Sequence, residues 1–216
     1  MLIMVVCLIA VFHSWRTDKA VREETGSFTA APVPDEVFAR MQGKSYPKGC
    51  TVRREDLRYL RLLHYGTDGK GHEGEMICHK SIAGNLTEIF RELYRQHYPI
   101  GSIRLIDDFD ADDERSMRAN NTTCFCYRKV AGSSKLSKHA QGLAVDINPL
   151  YNPYGKKRAD GTMRVQPATG RKYLDRNKDF PCKITRFDAA YLLFVRHGFR
   201  WGGAWRSLKD YQHFEK

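Results

Sequence analysis

Apolar and polar positions alternate in the segment that runs from residue 143 to residue 147. Leu143, Val145 and Ile147 would point to one face of an extended strand, whereas Ala144 and Asp146 would point to the other. A strand buried on one face is therefore predicted here, with Asp146 projecting from the opposite face. Apolar runs at residues 75–78 and 103–106 predict two further strands, and the apolar residues between positions 57 and 65 mark the start of the folded part.

Two other segments repeat apolar residues at intervals of three and four, which is the pattern of an amphipathic helix. The first is predicted to begin at Asn85, a good cap with Glu88 three residues later, and to end by Pro99. The second is predicted to begin at Asp188 and to stop at Gly198. Their apolar faces comprise Leu86, Ile89, Phe90, Leu93 and Tyr94 in the first helix, and Ala189, Leu192, Leu193 and Val195 in the second. We therefore expect a single α+β domain, in which a small, mainly antiparallel sheet packs against these two helices.

The amino-terminal 48 residues differ from the rest of the chain in their pattern. Residues 2–12 form an eleven-residue apolar run, which is too short to span a bilayer as a helix and has the length of a secretory signal core. We interpret residues 1–12 as a signal or anchor segment, with a buried amino-terminal strand as the alternative. Residues 13–48, rich in Pro, Ser, Thr and Gly, predict a tether with one short helix near residues 35–41. The folded domain is then expected over residues 49–216, long enough for a real core.

The charge balance indicates an anionic partner without identifying it. A net charge of +11 suits nucleic acid, and it suits equally a bacterial wall polymer with free carboxylates. The chain lacks the interleaved aromatic and basic residues that are typical of single-strand-binding surfaces. For this reason we expect no nucleic-acid partner, and a nucleic-acid binder or metal nuclease stays only as a third, less favoured hypothesis.

Several groups of residues that could bind a metal are better interpreted as structural. The cysteines other than Cys7 are odd in number and do not have the spacing of a common zinc module, so we interpret them as buried apolar residues. These are Cys50, Cys78, Cys124, Cys126 and Cys182. We assign hydrogen-bonding or solvated roles to His64, His72 and His79, and we interpret the acidic residues 107–114 as a solvated loop, because they lack the ligand register of a calcium loop.

Two short blocks of sequence carry the chemistry. In residues 137–149, His139 precedes Asp146 by seven positions, and a buried carboxylate at position 146 needs a cationic partner such as a shared metal ion. The second block, residues 210–215, adds His213, and two histidines with one carboxylate are a ligand set of catalytic zinc. Asp210 then remains as a free carboxylate beside the metal, where a general base belongs.

These two blocks resemble a known family. The pattern S-x-H-x-x-G-x-A-x-D, followed at the end of the chain by W-G-G-x-W and D-x-x-H-F, is similar to that of the zinc D-alanyl-D-alanine carboxypeptidases. This superfamily includes the vancomycin-resistance dipeptidases and carboxypeptidases and the phage L-alanyl-D-glutamate endolysins. The resemblance spans roughly residues 50 to 216 and is weakest in the long middle loop.

The resemblance implies a hedgehog- or DD-peptidase-like fold and a zinc metallopeptidase that hydrolyses a peptide bond in peptidoglycan stem peptides. The bond is either the one before a terminal D-alanine or the L-alanyl-D-glutamate bond. His139, Asp146 and His213 would bind Zn²⁺, Asp210 would act as the base, and Arg128, with Arg118 as the alternate, would steady the polarised carbonyl. Asp at position 210 matches the endolysins, whereas the dipeptidase branch has Glu. We expect a monomer in the bacterial cell envelope or periplasm, with a membrane anchor at the amino terminus as one alternative.

Three interpretations stay open at this point. Asp210 could instead orient a ligand histidine. The basic residues 154–179 could border the cleft and attract carboxylates, or they could be a solvated insertion. The whole domain could also be a non-catalytic zinc-containing wall-binding module, because the fold resembles the amino-terminal hedgehog signalling domain. Of Trp201 and Trp205, we expect one in the core and the other in the cleft.

Overall fold

Three small antiparallel sheets and four α-helices make up the part of the chain that the computed structural model describes, residues 28–130 and 133–216. The helices are α1 (Asp35–Met41), α2 (Lys80–Arg95), α3 (Asp113–Arg118) and α4 (Ala189–Arg196). The first sheet contains β1 (Thr29–Pro32), β2 (Leu57–Tyr65) and β3 (Gly71–His79), and a parallel pair is formed by β4 (Ser102–Ile103) and β5 (Asn121–Thr122). The second sheet contains β6 (Ala144–Asp146), β9 (Arg200–Trp201) and β11 (His213–Glu215). The third sheet contains β7 (Tyr154–Lys157), β8 (Met163–Gln166) and β10 (Lys209–Asp210). The α+β prediction is confirmed, although the antiparallel strands are divided among three sheets.

The hairpin of β2 and β3 is covered on both faces, which explains why the consecutive residues Met76, Ile77 and Cys78 are all apolar. Leu60 and Met76 point into the larger hydrophobic core, where the apolar face of α2 also lies. Leu57 and Ile77 point into a second, smaller core. Because alternate residues of a strand face opposite sides, burial of both faces requires nearly continuous apolar character.

The predicted tether is wrong for residues 28–48. β1 pairs with β2 in the register Thr29 to Arg61, and α1, which confirms the predicted short helix, buries Val37 and Met41 in the second core. The physical reason is the four-residue spacing of these apolar side chains, which forms a helical stripe that covers the exposed face of the hairpin. The folded part therefore includes residues 28–48. Residues 13–27 of the tether, and the predicted signal or anchor at residues 1–12, lie outside the described residues.

Helix α2 has the predicted apolar face but a different start. Leu86, Ile89 and Phe90 are buried on it, as predicted. The helix begins five residues before Asn85, because His79 accepts a hydrogen bond from the backbone N–H of Ser81 and acts as the cap. Histidine is not among the preferred capping residues, so the sequence favoured Asn85 instead.

Helix α4 starts as predicted, with Asp188 as its cap, but it buries a different side. Ala190 and Phe194 are its buried residues, whereas Leu192 and Val195 are 55% and 42% exposed. The Phe194 ring stacks on the ring of Phe214, with centroids 4.4 Å apart. The aromatic contact with the last strand thus sets the rotation of this helix.

The strand around Asp146 follows the predicted alternation. Val145 and Ile147 are fully buried in the larger core, and Leu143 packs against it. Asp146 points away from this core. The sheet is completed by β11, which lies between β6 and β9 and places Phe214 opposite Val145.

The predictions for the cysteines, the strand at residues 103–106 and the acidic stretch are confirmed only in part. The five cysteines in the described part of the chain are free; four of them are buried, as expected, whereas Cys50 is only partly buried. The strand predicted at residues 103–106 reduces to the end of β4, and the acidic stretch is not simply solvated, because Asp107 is buried and accepts hydrogen bonds from Ser45. No helix of the described residues is long and apolar enough to cross a membrane.

Candidate metal centre and cleft

His139 is held in a short turn that leaves one ring nitrogen free to bind. It begins the 3₁₀ turn His139–Gln141, which ends at Gly142 in the left-handed region with a φ of +67°. The ring Nδ1–H donates to the backbone carbonyl of Cys124 at 2.6 Å. Since a carbonyl can only accept, this bond fixes the tautomer and leaves the lone pair of Nε2 directed away from the backbone.

Asp146 and His213 face each other across two antiparallel strands. They occupy directly opposite positions of β6 and β11 in the strand register. Side chains at such positions are neighbours on the same face of a sheet. His213 Nε2 lies 3.3 Å from Glu215 Oε2, so Nε2–H donates to that carboxylate, and Nδ1 faces Asp146.

Two ring nitrogens and one carboxylate, whose two oxygens each face one of the rings, converge as a zinc ion requires. His139 Nε2 lies 3.2 Å from His213 Nδ1 and 3.2 Å from Asp146 Oδ2, and His213 Nδ1 lies 3.1 Å from Asp146 Oδ1. Tetrahedral zinc with bonds of roughly 2.0–2.1 Å separates its ligand atoms by roughly 3.3 Å. The three residues are buried, at 4–8% exposure, and form a group that could hold a metal ion. The donor set therefore fits zinc.

The electrostatics of the group also favour a cation among the three donors. Burial opposes the charged form of His213, but the hydrogen bonds to Asp146 and Glu215 outweigh it and raise the pKa of His213 to about 10. Burial likewise opposes ionisation of Asp146, but the two histidines hold its pKa below the ordinary value. A carboxylate that stays ionised at this depth needs positive charge beside it. Protonated His213 can supply that charge, and a divalent ion that displaces the proton from Nδ1 would supply it instead.

The three donors lie at the base of a cleft of about 390 Å³. Its walls come from α3, from the segment after β5, from the hairpin of β7 and β8, and from the last 12 residues of the chain. Residues that line it include Asp113, Arg128, Tyr154, Lys156, Trp205 and Asp210. Within the basic segment 154–179, Tyr154, Lys156 and Gln166 border the cleft, and residues 154–166 form a hairpin instead of a loop.

Of the two predicted arginines, Arg128 reaches the cleft and Arg118 does not. Arg118 is exposed near the end of α3. Arg128 is mostly buried and its guanidinium forms an ion pair with Asp113. Burial lowers the pKa of Arg128, but the charges of Asp113 and Asp146 raise it further, so the guanidinium stays charged beside the donor group.

Asp210 is positioned by a strand that sequence analysis did not foresee. It lies in β10, directly opposite Tyr154 of β7. Gln212 Nε2 donates to its Oδ1 at 3.2 Å, which leaves Oδ2 for other partners. Burial, with a smaller contribution from the charge of Asp146, raises the pKa of Asp210 to about 6. Gly202 allows this approach, because a Cβ there would lie 2.7 Å from the carbonyl oxygen of Asp210.

Glu215, not Asp210, contacts a ligand histidine. Its Oε2 accepts from His213, while its Oε1 accepts from Arg200 at 2.8 Å. This residue was missed, although its position two residues after His213 on a strand places both side chains on the same face. Asp113 was also missed, and no local signal identifies it, because its contact with Arg128 joins distant parts of the chain.

The two tryptophans divide as predicted. Trp201 is buried in the larger core, and its indole N–H donates to the carbonyl of Tyr211 at 2.8 Å. Trp205 lines the cleft, with its ring centroid 5.3 Å from the ring of His213. An apolar surface therefore flanks the donor group.

One of three comparisons with known proteins found a match. The family model of D-alanyl-D-alanine carboxypeptidases matches residues 131–216, which contain His139, Asp146, Asp210 and His213. Searches of curated proteins and of solved structures found no significant match. The similarity to D-alanyl-D-alanine carboxypeptidases therefore covers residues 131–216 and includes the three donor residues and Asp210.

Proposed function

We propose that this protein is a zinc metallopeptidase that hydrolyses a peptide bond in peptidoglycan stem peptides. The observation that carries the proposal is the convergence of His139 Nε2, His213 Nδ1 and an Asp146 carboxylate within 3.1–3.2 Å of one another. Asp210 and Arg128 line the same cleft, which supports a catalytic role over simple metal storage. The family match over residues 131–216 supports the substrate class.

In this proposal His139, Asp146 and His213 hold the metal. When bound, zinc supplies a Lewis acid that polarises the scissile carbonyl and activates a water molecule. The hydrogen bonds of the two histidines to Cys124 and Glu215 keep their lone pairs oriented for binding.

Asp210 acts as the general base and then as the general acid. With a pKa of about 6, it is mostly ionised at neutral pH and yet basic enough to accept a proton from the attacking water. Oδ2 takes the proton, because Oδ1 accepts from Gln212. The same oxygen then returns the proton to the departing amine.

Arg128 stabilises the negative charge that develops on the carbonyl oxygen. A guanidinium cannot be deprotonated at neutral pH, so it supplies positive charge without exchanging a proton. The ion pair with Asp113 holds the side chain in the cleft wall. Asp113 is thus a positioning residue for Arg128.

The substrate and the setting of the chain follow from the same chemistry. We propose peptidoglycan peptides as the partner and an extracytoplasmic, cell-envelope location as the site of action. The apolar run at residues 2–12 supports export or anchoring to the membrane. The excess of positive charge supports an anionic polymer as the surface on which the protein works.

The test is mass spectrometry of the fragments released from purified peptidoglycan by the zinc-loaded protein, with and without a chelator. Chelator-sensitive release of D-alanine identifies a carboxypeptidase, and new peptides beginning at D-glutamate identify an endopeptidase. The Asp210→Asn variant is expected to lose about 10²- to 10⁴-fold in rate and to keep its zinc. Asp160→Asn, the same substitution in an exposed carboxylate of the β7–β8 turn, is the matched control and should keep full activity.

Two results would contradict the proposal. Full activity of the Asp210→Asn variant would remove the base assignment. Release of no fragment by a zinc-loaded protein would favour the non-catalytic wall-binding module instead.

A further inference from the structure

The hairpin of β7 and β8 presents two positive charges opposite each other. Lys156 of β7 pairs with Arg164 of β8 in the antiparallel register. Directly opposite side chains in such a pair lie on the same face, with Cβ atoms roughly 4.5–5.5 Å apart. Like charges at these positions destabilise a sheet.

This pair lies on the cleft side of the hairpin. Tyr154, Lys156 and Gln166 line the cleft, and Tyr154 and Gln166 are opposite each other two residues along from the charged pair. The intervening pair, Gly155 and Val165, is buried on the other side. Because alternate residues share a face, Arg164 belongs to the cleft side together with Lys156.

The electrostatics of Tyr154 support this placement independently. Burial is the main cause that raises the pKa of its hydroxyl, Arg164 lowers it, and Asp210 raises it. The Tyr154 ring therefore lies within electrostatic reach of both the arginine and the proposed base.

Neither cation has an acidic partner within residues 28–130 and 133–216. The ion pairs and side-chain hydrogen bonds of this part of the chain include neither Lys156 nor Arg164. Arg128, by contrast, is paired with Asp113 on the same cleft wall. Two unpaired, adjacent cations beside a catalytic cleft form a receptor for an anion.

We propose that Lys156 and Arg164 form a subsite that binds a carboxylate of an acidic peptide substrate. Asp210, Tyr154 and Gln166 lie side by side on three neighbouring strands. The pair of Lys156 and Arg164 is two residues further along these strands, at a distance of roughly 7 Å. The recognised carboxylate is therefore set back from the scissile bond by the length of about one to two residues. This inference rests on the proposed peptidase function, and it adds the residues that determine specificity for acidic peptides.

The inference is tested by binding to the zinc-loaded, full-length chain in the Asp210→Asn background, so that the peptide is not consumed. The probes are a synthetic stem pentapeptide and versions of it in which the carboxylates are amidated one at a time. Dissociation constants are measured by calorimetry at low and high salt. The double variant Lys156→Gln/Arg164→Gln is compared with Lys157→Gln, a matched control, since Lys157 is exposed on the opposite face of the same strand.

One amidated peptide is expected to bind about tenfold more weakly than the parent peptide, and the difference should shrink as salt screens the charges. The double variant should bind these two peptides equally, whereas Lys157→Gln should keep the preference. The proposal is overturned if no amidation weakens binding, or if the double variant keeps the full preference. A carboxylate preference without any cleavage by the wild-type protein would support the subsite and contradict the proposed peptidase function.

Discussion

The contact of Glu215 with His213 allows the metal centre to be tested without touching a ligand. His213 Nε2–H donates to Glu215 Oε2 at 3.3 Å, and the glutamate side chain is only 14% exposed. In Glu215→Gln the acceptor oxygen is retained but the negative charge is lost. In Glu215→Ala both are lost, and His213 is free to rotate or to present the wrong tautomer.

The expected effect is a loss of zinc affinity. Partners that orient a ligand histidine contribute about 10- to 100-fold to metal affinity, which corresponds to about 1.4–2.7 kcal/mol. Since 3.3 Å is longer than the common N–H···O distance, we expect the alanine variant near the middle of that range and the glutamine variant near its lower end.

Zinc affinity is measured by competition with a chromophoric chelator at neutral pH. Arg200→Gln is the matched control, because Arg200 binds the other carboxylate oxygen and its side chain is 74% exposed. It should change the affinity by less than about threefold. Zinc binding by Glu215→Ala as tight as that of the wild type would show that this carboxylate does not orient His213.

Three further predictions concern stability. Phe214→Ala should lower the free energy of unfolding by about 3–5 kcal/mol, since the ring is fully buried; Phe187→Ala, at 92% exposure, should change it by less than about 0.5 kcal/mol in the same urea titrations. Gly142→Ala should lower the free energy of unfolding by at least about 1 kcal/mol more than Gly161→Ala does. Both glycines have a positive φ, but a Cβ at position 142 would lie 2.7 Å from a backbone nitrogen, whereas a Cβ at position 161 would have no atom within 4 Å. Burial, with a contribution from His72, lowers the pKa of His64 to about 4, so the folded state binds this proton less tightly than the unfolded state and stability falls with acidification. Between about pH 7 and about pH 5, the free energy of unfolding of His64→Gln should therefore fall by about 2 kcal/mol less than that of the wild type. If both proteins lose the same stability over this range, the lowered pKa of His64 is contradicted.

Local patterns predicted much of the donor group and its strands. The alternation from Leu143 to Ile147 fixed the face from which Asp146 projects, because one face of the strand is apolar. The short motifs around His139 and His213 indicated the other two donors, because they resemble motifs of the zinc D-alanyl-D-alanine carboxypeptidases. The strand register then places two of the three donors opposite each other.

What the sequence could not predict depends on contacts between distant segments. The β7–β8 hairpin has few apolar residues, so it was interpreted as a loop, yet it pairs with β10 and positions Asp210. The partner of Arg128 comes from the acidic stretch, and nothing near Asp113 in the sequence indicates that contact. Residues 28–48 were assigned to a tether because their composition is polar, although a few apolar residues suffice to dock them on the first sheet.

The central claim is that His139, Asp146 and His213 together bind one zinc ion, and metal content tests it most directly. The full chain is loaded with zinc, dialysed, and analysed by inductively coupled plasma mass spectrometry next to the His213→Ala variant. We predict about one zinc per chain for the wild type and much less than one for the variant, because removing a ligand from a three-ligand site greatly weakens binding. Retention of one zinc per chain by the His213→Ala variant, or absence of zinc from the wild type, would contradict the account.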